Sequence, residues 1–382
     1  MSADAIDPQL RADVERLAAM TRDSAGAGER AAAAWVAERL RAAGVQEVRS
    51  EPFRYTPTYT HAYALHAGAI GAAAALGGRG GRLLALAALA SHELDVSGRR
   101  QWLRRWLPAG EGANVVGRLP ARGPRRATLL LVAHHDAART GLIWHPALSR
   151  GGAAARLRRR AMEPAGWPFA LAALAAASGT RAGRALGGTL AAATVALMAD
   201  VHRSPTVPGA SDNATGVAAL LALAGRLAHD PPDGLETIVL SSGCEEPGMG
   251  GMAAFLAAHG DTLDRATTFV LGLDTLGAGE PIVARAEGVL LPHTYAARDN
   301  DLVDAAARRA GLPPPQRWRI GAYTDPILAR FAGLRAVSLL SVGADGRYSD
   351  YHLPTDTAER VGWRSVARCL ALAEATAREL VA

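Results

Sequence analysis

One stretch of the sequence limits the possible folds of this chain more than any other. It is an unbroken apolar run that leads directly into two histidines and an aspartate. The run is Leu129–Ala133, and His134, His135 and Asp136 follow it. Side chains of a strand alternate between the two faces of a sheet, so a strand apolar at every position is typical of a sheet covered on both sides. The run therefore predicts a central strand with polar chemistry at its carboxyl end.

Strand and helix patterns alternate along most of the chain, which predicts an α/β fold with three α/β/α layers and a mixed, mostly parallel central sheet. A loop rich in Pro, Gly and Arg at 120–126 predicts a hairpin-like connection between two of the strands. Strands are predicted over Val45–Tyr55, Ala113–Leu119, Ala127–Ala133, Glu236–Ser242, Thr267–Leu273 and Arg335–Val342. Helices are predicted over Pro8–Met20, Glu29–Ala43, Val217–Ala224, Gly251–His259, Asn300–Ala310 and Trp363–Val381.

Two segments rich in Ala, Gly and Arg interrupt this pattern. Ala62–Leu76 and Leu83–Ala90 are apolar in the first segment, and Trp167–Ala177 and Ala185–Ala199 are apolar in the second. Each segment is predicted to be a helical hairpin with Arg at its base. The predicted organisation is one α/β domain in three parts, 1–56, 109–145 and 204–382, with inserts at 57–108 and 146–203.

The composition argues against a nucleic-acid-binding protein. The chain has no Lys, all 42 basic residues are Arg, and the net charge is only +6. Nucleic-acid binding needs a clustered basic face with aromatic platforms, and aromatic residues make up only 5%. Two cysteines, Cys244 and Cys369, are too few for a secreted disulfide scaffold. The polar start Met1–Leu10 lacks the apolar core of a signal peptide, so a cytoplasmic protein is expected.

Polar residues follow several of the predicted strands. Glu245 and Glu246 come just after one strand, Asp274 follows the next, and His352 lies in the loop after the last one. Ligand sites in open α/β sheets lie outside the carboxyl ends of the strands. Imidazole and carboxylate together suit Zn²⁺. The sequence therefore predicts a zinc site at this edge of the sheet.

The glycine-bracketed loop Gly209–Gly216 adds a further carboxylate, Asp212, just before a helix. Asp212 and Asn213 are also good helix caps, and the loop alone leaves that interpretation open. One carboxylate can hold two divalent ions about 3.5–4 Å apart, and we place Asp212 in that bridging position. Glu245 and Glu246 are adjacent and cannot easily face one ion together. We therefore predict that one is a ligand and the other a general base.

Taken together and in chain order, these motifs resemble the M28 family of di-zinc metallopeptidases, of the aminopeptidase Y and S type. Each motif alone is common, whereas the whole set is specific. The resemblance covers about 8–55, 113–136 and 208–382, and not the inserts. It implies a zinc-exopeptidase-like fold and an aminopeptidase that hydrolyses N-terminal residues of a peptide substrate. The motifs are His134-Xaa-Asp136, Gly209–Asn213, Glu245-Glu246, Asp274 and Tyr351-His352.

The resemblance also implies a metal-binding role for matching residues. Asp212 would bridge two zinc ions, with one histidine on each ion and the other two acids divided between them. The peptide would be hydrolysed by a bridging water that the two ions activate. The implied ligands are His134, Asp212, Glu246, Asp274 and His352.

Three further roles follow from the same resemblance. Glu245 would be the general base that takes a proton from the water and returns it to the leaving amine. Asp136 would orient the imidazole of His134. Tyr351 would donate to the developing oxyanion. A cis peptide bond is also expected between Asp212 and Asn213.

Other functions stay open on the same residues. One alternative is a carboxypeptidase or a glutaminyl-cyclase-like enzyme, the latter working with a single zinc. A non-catalytic binding protein is a weaker alternative, because all the expected ligands are present. His135 is expected to pack or to form hydrogen bonds, and Cys244 to be a buried small apolar residue. Asp350 and Asp356 flank the last ligand and are expected to be structural, with a role in supporting the ligands from behind as the alternative.

The inserts leave the location of the protein open. A spanning helix needs about 20 apolar residues, and the longest apolar stretches, Ala62–Leu76 and Ala185–Ala199, are shorter. Arg and Trp at 99–106 and the arginines of 156–160 suit a lipid headgroup interface on the cytoplasmic side. The alternatives are a catalytic domain attached to the inner face of a membrane and a soluble Ala-rich lid over the site. The sequence does not indicate an oligomeric state.

Overall fold

The computed structural model describes residues 7–145 and 152–382. Most of the predicted polar N-terminal start and the first residues of the second predicted insert lie outside these ranges. The described strands are β1 (Gln46–Tyr55), β2 (Gly110–Leu119), β3 (Arg122–His134), β4 (Asp233–Ser242), β5 (Thr268–Leu273), β6 (Glu280–Glu287), β7 (His293–Thr294), β8 (Gln316–Ile320) and β9 (Arg335–Val342).

The described helices cover the two sheet faces and form most of the inserts. They are α1 (Pro8–Ala18), α2 (Ala27–Ala42), α3 (Thr60–Leu76), α4 (Gly78–Val96), α5 (Ala153–Arg159), α6 (Trp167–Ala177), α7 (Arg181–Arg203), α8 (Thr215–His229), α9 (Gly250–His259), α10 (Ala297–Arg309), α11 (Pro326–Phe331) and α12 (Trp363–Glu379). Short 3₁₀ turns lie at Arg104–Trp106, Leu142–Trp144, Gly260–Thr262 and Ala358–Arg360.

The strands form one mixed sheet in the order β1-β2-β4-β3-β5-β9-β6-β7, with β8 beside β6. The run from β4 through β3 and β5 to β9 is parallel. Antiparallel pairs flank this centre, β1–β2 and β2–β4 on one side and β9–β6 and β6–β7 on the other. The carboxyl ends of four neighbouring parallel strands consequently meet at one edge of the sheet.

The loop between β2 and β3 does not form a hairpin. β4 lies between these strands, with Ser241 opposite Val115 of β2 and Ser242 opposite His134 of β3. The hairpin-like prediction for 120–126 was wrong, because a Pro/Gly turn signal is local. Such a signal cannot show that a strand from much later in the chain inserts between the two.

The central strand β3 separates two apolar layers. Leu129 and Leu131 belong to the core beneath α1, α2, α8, α10 and α12, and Leu130 and Val132 belong to the opposite core beneath α9 and α11. All four side chains are at most 1% exposed. The central strand predicted from this run and the three-layer α/β/α architecture predicted from the alternation of strands and helices are both confirmed.

The helices α3, α4, α6 and α7 pack mainly against one another, and we call them the insert bundle. Their shared core contains Ala67, Ile70, Phe169 and Ala172. α7 is 23 residues long and extends beyond the predicted apolar stretch at both ends. By length and composition it is the one described helix that could cross a membrane. The domain boundaries given above stay a prediction.

The sequence patterns do not predict β6, β7, β8 or α11. β6 begins with Glu280 and Pro281 and contains the exposed Arg285, and these three residues interrupt the apolar pattern of a mostly buried strand. β8 has five residues, with Arg317 and Arg319 on either side of Trp318, and α11 has only six residues. Elements this short carry too little periodicity to stand out from loop sequence.

Candidate metal centre

Loops at one edge of the sheet bring the predicted ligands together. His134 is the last residue of β3, and Glu245 and Asp274 follow β4 and β5 closely. His352 lies in the loop after β9, and Asp212 lies just before α8. Four of these positions follow parallel strands, which is why residues far apart in sequence converge here.

The carboxylate of Asp212 lies between two imidazoles. Its Oδ1 is 3.4 Å from His134 Nε2, and its Oδ2 is 3.2 Å from His352 Nε2. The residue is only 4% exposed. Asp212 therefore presents one oxygen to each of two neighbouring groups of side chains.

Acidic side chains accompany each histidine. Glu246 Oε2 is 3.2 Å from His352 Nε2. Asp274 Oδ2 and Glu245 Oε2 each lie 4.0 Å from His134 Nε2. The polar side chains thus divide into two groups, one on each side of the central aspartate.

The donor atoms fit a metal ion. Ligand atoms of His134, Asp212 and Glu246 all lie within 4.8 Å of one another. Within residues 7–145 and 152–382, both ring nitrogens of His352 and Glu246 Oε1 are buried without a hydrogen bond. Buried polar atoms are rarely left unpaired, and imidazole with carboxylate is the donor set of zinc sites. The residues present therefore fit zinc.

The loop before α8 is held from both sides. The Asp356 carboxylate accepts hydrogen bonds from the backbone N–H groups of Ser211 at 2.7 Å and Asp212 at 3.0 Å. The Asn213 side chain donates to the end of β5 and accepts from Gly216 N–H at 3.1 Å, so Asn213 caps the helix. The expected cis peptide bond is present between Asp212 and Asn213. Both interpretations of the loop hold, because Asn213 is the cap and Asp212 turns into the site.

Asp136 connects a histidine to the turn that carries the two glutamates. It accepts hydrogen bonds from Ser24 Oγ at 2.7 Å, Glu245 N–H at 3.0 Å and Glu246 N–H at 3.2 Å. Its Oδ1 also lies 3.4 Å from His134 Nδ1. One buried carboxylate therefore orients groups on both β3 and β4.

Arg22 is a buried residue that the sequence analysis missed. Its guanidinium donates to the carbonyl oxygens of His135 at 3.0 Å, Pro208 at 2.7 Å and Gly209 at 2.7 Å. The side chain joins the loop after β3 to the loop before α8. A single arginine after the first helix has no recognisable motif, so only the folded chain reveals this role.

Burial and crowding shift the charge states at this site. Burial raises the pKa of Asp274 to about 6, and it raises the pKa of Glu245 well above its usual range. Burial opposes the charged form of His352, but Glu246 and Asp212 outweigh this effect and raise its pKa to about 10. These acids lie close together with too little positive charge nearby, so a bound cation would stabilise their ionised forms.

A cavity of about 800 Å³ opens onto these groups. Glu245, Glu246 and His352 line it, and Tyr351 lies beside them with its ring stacked 3.8 Å, between centroids, from His352. Tyr348 lines the same cavity, and its buried hydroxyl has no partner in the described part of the chain. The cavity thus holds the predicted phenol and a second phenol that the sequence did not indicate.

The insert bundle forms another part of the cavity wall. Tyr63 comes from α3, Val96 from α4, Trp167 from α6 and Met198 from α7. Both inserts therefore shape the space in front of the polar groups.

Two neighbours of the site are packing residues. His135 is buried and its Nδ1 lies 2.9 Å from Ser241 Oγ, as expected for a hydrogen-bonding histidine. Cys244 is buried, and its Sγ donates to Glu29 Oε2 at 3.1 Å, a partner that the sequence did not indicate. Burial raises the pKa of the Cys244 thiol well above its usual range, so it is a poor nucleophile.

Solved structures of other proteins share this fold. The fold matches an aminopeptidase from Aneurinibacillus sp. strain AM-1 with TM-score 0.58 and 14% identity, over 98% of this chain and 94% of that chain. It matches a zinc aminopeptidase from Bacillus subtilis with TM-score 0.56 and 14% identity, over 96% and 93%. It also matches a glutaminyl cyclase from Bacteroides thetaiotaomicron with TM-score 0.56 and 12% identity, over 98% and 99%. The fold is that of the zinc exopeptidases.

The sequence identifies the family within that class. The profile of peptidase family M28 matches residues 185–377, half of the chain. The chain belongs to peptidase family M28, as the motifs implied, and is a metallopeptidase. No curated protein sequence is significantly similar to it. The matched region contains Asp212, Glu246, Asp274 and His352, whereas His134 lies before it.

Proposed function

We propose that this chain is an aminopeptidase with two zinc ions. The observation that carries the proposal is the position of Asp212. One of its oxygens faces the group that contains His134 and Asp274, and the other faces the group that contains His352 and Glu246. Zinc bound in these two groups would lower the pKa of water and polarise the scissile carbonyl. Proton transfer and stabilisation of the oxyanion are assigned to side chains of the protein.

The charge of the ligand set favours two ions over one. Asp212, Glu246 and Asp274 carry three negative charges when ionised, and the two histidines bind metal in their neutral form. A single divalent ion would leave buried negative charge uncompensated, which is costly. Two divalent ions would leave a small net positive charge in this ligand set, and this charge would favour loss of a proton from bound water.

Glu245 is placed to move that proton. Its carboxylate lines the cavity and lies 4.0 Å from His134, and its backbone N–H is held by Asp136. We propose that Glu245 accepts a proton from the attacking water and returns it to the leaving amine. Burial raises its pKa, whereas nearby cations would lower it, and these opposing effects bring a general base towards the working pH.

The charges around the cavity favour a substrate with a free amino terminus. The four arginines that line the cavity all have acceptors in the described part of the chain, and Asp345 serves two of them, Arg156 and Arg347. Arg104 is 2.7 Å from Asp95, and Arg360 is 2.8 Å from Asp350. A terminal carboxylate needs an unpaired cation to bind it, whereas an amino terminus does not. This supports an aminopeptidase over a carboxypeptidase.

A panel of peptides tests the proposal. Purified chain loaded with zinc is expected to release N-terminal residues from free peptides at least about 10²-fold faster than from N-acetylated ones. Two zinc ions per chain are expected from elemental analysis. Cyclisation of N-terminal glutamine with one zinc would support a glutaminyl cyclase instead, and release of C-terminal residues would support a carboxypeptidase. If the chain binds zinc but hydrolyses none of the peptides, the alternative of a non-catalytic binding protein would be supported.

Removal of the Tyr351 hydroxyl tests the proposed oxyanion donor. Tyr351→Phe is expected to lower kcat by about 10²-fold with little change in KM, because the hydrogen bond strengthens only in the transition state. Tyr348→Phe is the matched control, since it removes a phenol from the same cavity, and it is expected to leave kcat nearly unchanged. The opposite pattern in steady-state kinetics would assign the role to Tyr348.

A further inference from the structure

The insert bundle has small residues on the inside. Its buried core is alanine throughout, apart from Ile70 and Phe169. A Cβ atom at Gly187 would lie 2.6 Å from the backbone nitrogen of Ala176, and one at Gly81 would lie 2.4 Å from a carbonyl oxygen of α3. Small residues that let helix backbones approach this closely are typical of helices packed in a bilayer.

Large apolar side chains lie on the outside of the bundle. Among the large apolar side chains exposed within 7–145 and 152–382, only Leu142 and Leu291 lie outside the two inserts. A helix bundle in water shows the reverse arrangement, with leucines buried and polar residues exposed. Every helix of the bundle contributes exposed apolar side chains, among them Leu76, Leu83, Leu86, Leu174, Leu186 and Val195.

The middle of the bundle carries no formal charge. Residues 62–78, 83–92, 167–180 and 185–199 contain no Asp, Glu, Lys or Arg. At 1.5 Å per residue, 185–199 spans about 22 Å, against about 30 Å for a bilayer core. Thinning of the bilayer and extension of flanking arginine side chains to the headgroups accommodate a difference of this size.

Arginine and tryptophan mark the ends of this apolar band. At the far end, Arg184 donates to the carbonyl oxygens of Ala74 at 2.7 Å and Ala75 at 2.9 Å, which joins the tips of the two hairpins. At the end near the sheet, Trp102 and Trp106 are 48% and 73% exposed among neighbouring arginines. An apolar band flanked by Trp and Arg is typical of a segment between two membrane interfaces.

We propose that the insert bundle is embedded in a lipid bilayer and holds the active-site cavity at the level of the headgroups. The exposed apolar side chains occur on all four helices, so a medium that surrounds the bundle fits them, whereas a protein partner would cover one side. Tyr63 and Trp167 belong to the bundle and line the cavity, which places the cavity at the membrane surface. Arginines are more numerous near the base, with eight within 99–105 and 156–160, than at the tips, which carry Arg79, Arg82, Arg181 and Arg184. This bias places the catalytic domain on the cytoplasmic side. This proposal does not depend on the peptidase reaction.

Vesicle flotation of the full chain tests the proposal. Detergent-free chain mixed with neutral phosphatidylcholine vesicles in 1 M NaCl is expected to float with the lipid, because charge attraction is screened at that salt concentration. The triple variant Leu83→Glu, Leu174→Glu, Leu186→Glu is expected to float at least tenfold less. The matched control Leu142→Glu, Leu291→Glu changes exposed leucines outside the inserts and is expected to float like the wild type.

Each other outcome overturns the proposal. Wild-type chain that stays monodisperse in the lipid-free fraction has no bilayer anchor, and flotation lost in 1 M NaCl reflects arginine attraction alone. A lipid-free oligomer would mean that a second copy covers the leucines. A triple variant that still floats would exclude the bundle as the anchor. Helix content by circular dichroism and zinc content establish that the triple variant is folded.

Discussion

Glu245→Gln is expected to lower kcat by about 10²–10⁴-fold while two zinc ions stay bound, because the change removes proton transfer and leaves the proposed ligands in place. Glutamine has nearly the same shape as glutamate, so the backbone hydrogen bond from Glu245 to Asp136 is retained. Steady-state kinetics together with elemental analysis of the same sample measure both quantities.

The neighbouring glutamate provides the contrast for this experiment. Glu246→Gln is expected to lower the zinc content as well as kcat, because Glu246 lies 3.2 Å from His352 Nε2, as close as Asp212. Full activity of Glu245→Gln would remove Glu245 from the reaction. Loss of zinc from Glu245→Gln would make it a ligand instead of a base.

Asp212→Ala is expected to remove both zinc ions and to lower the rate by about 10⁶-fold or more, towards the uncatalysed reaction. The loss is large because the two oxygens of Asp212 face two separate groups of ligands. Asp274→Ala changes only the group around His134, so one zinc ion is expected to remain. Elemental analysis and kcat with a free dipeptide measure the difference.

An acid outside the proposed ligand set is the control for these two variants. Asp345 lies at the rim of the cavity with a side chain that is 54% exposed. Asp345→Ala is expected to keep both zinc ions and most of the activity. Equal zinc loss in the Asp212 and Asp274 variants would mean that the two groups do not bind independently, and retention of two ions in Asp212→Ala would contradict a shared ligand.

The convergence of the candidate metal ligands could be predicted because these polar residues follow strongly apolar strands. Leu129–Ala133 leads into His134, and Arg335–Val342, which matches its predicted bounds, leads towards His352. Parallel strands bring their carboxyl ends to one edge, so order along the chain is sufficient to predict convergence. The cis peptide bond at Asp212 was expected from the family resemblance.

The supporting residues could not be predicted because their roles arise only in the folded chain. Arg22 is linked to Pro208 by one hydrogen bond across nearly the whole first half of the sequence. The position of Tyr348 in the cavity is also visible only in the folded chain. The insertion of β4 between β2 and β3 is likewise a long-range pairing that local turn signals do not encode.

In the inserts, too, the local sequence predicts the helices but not the long-range contacts between them. Their apolar composition predicts helical hairpins, and α3, α4, α6 and α7 lie within the predicted segments. The association of the two hairpins places Ala67 and Ala172 in one core, although they come from different inserts. Which side chains face outward, and therefore the membrane proposal, depends on that association.

Anomalous diffraction at the zinc absorption edge, from crystals of the zinc-loaded chain, tests the central claim most directly. We predict two anomalous peaks about 3.5–4 Å apart, one on each side of the Asp212 carboxylate. One peak is expected beside His134 and Asp274, and the other beside His352 and Glu246. A single peak, or two peaks that do not share Asp212 as a ligand, would contradict the account.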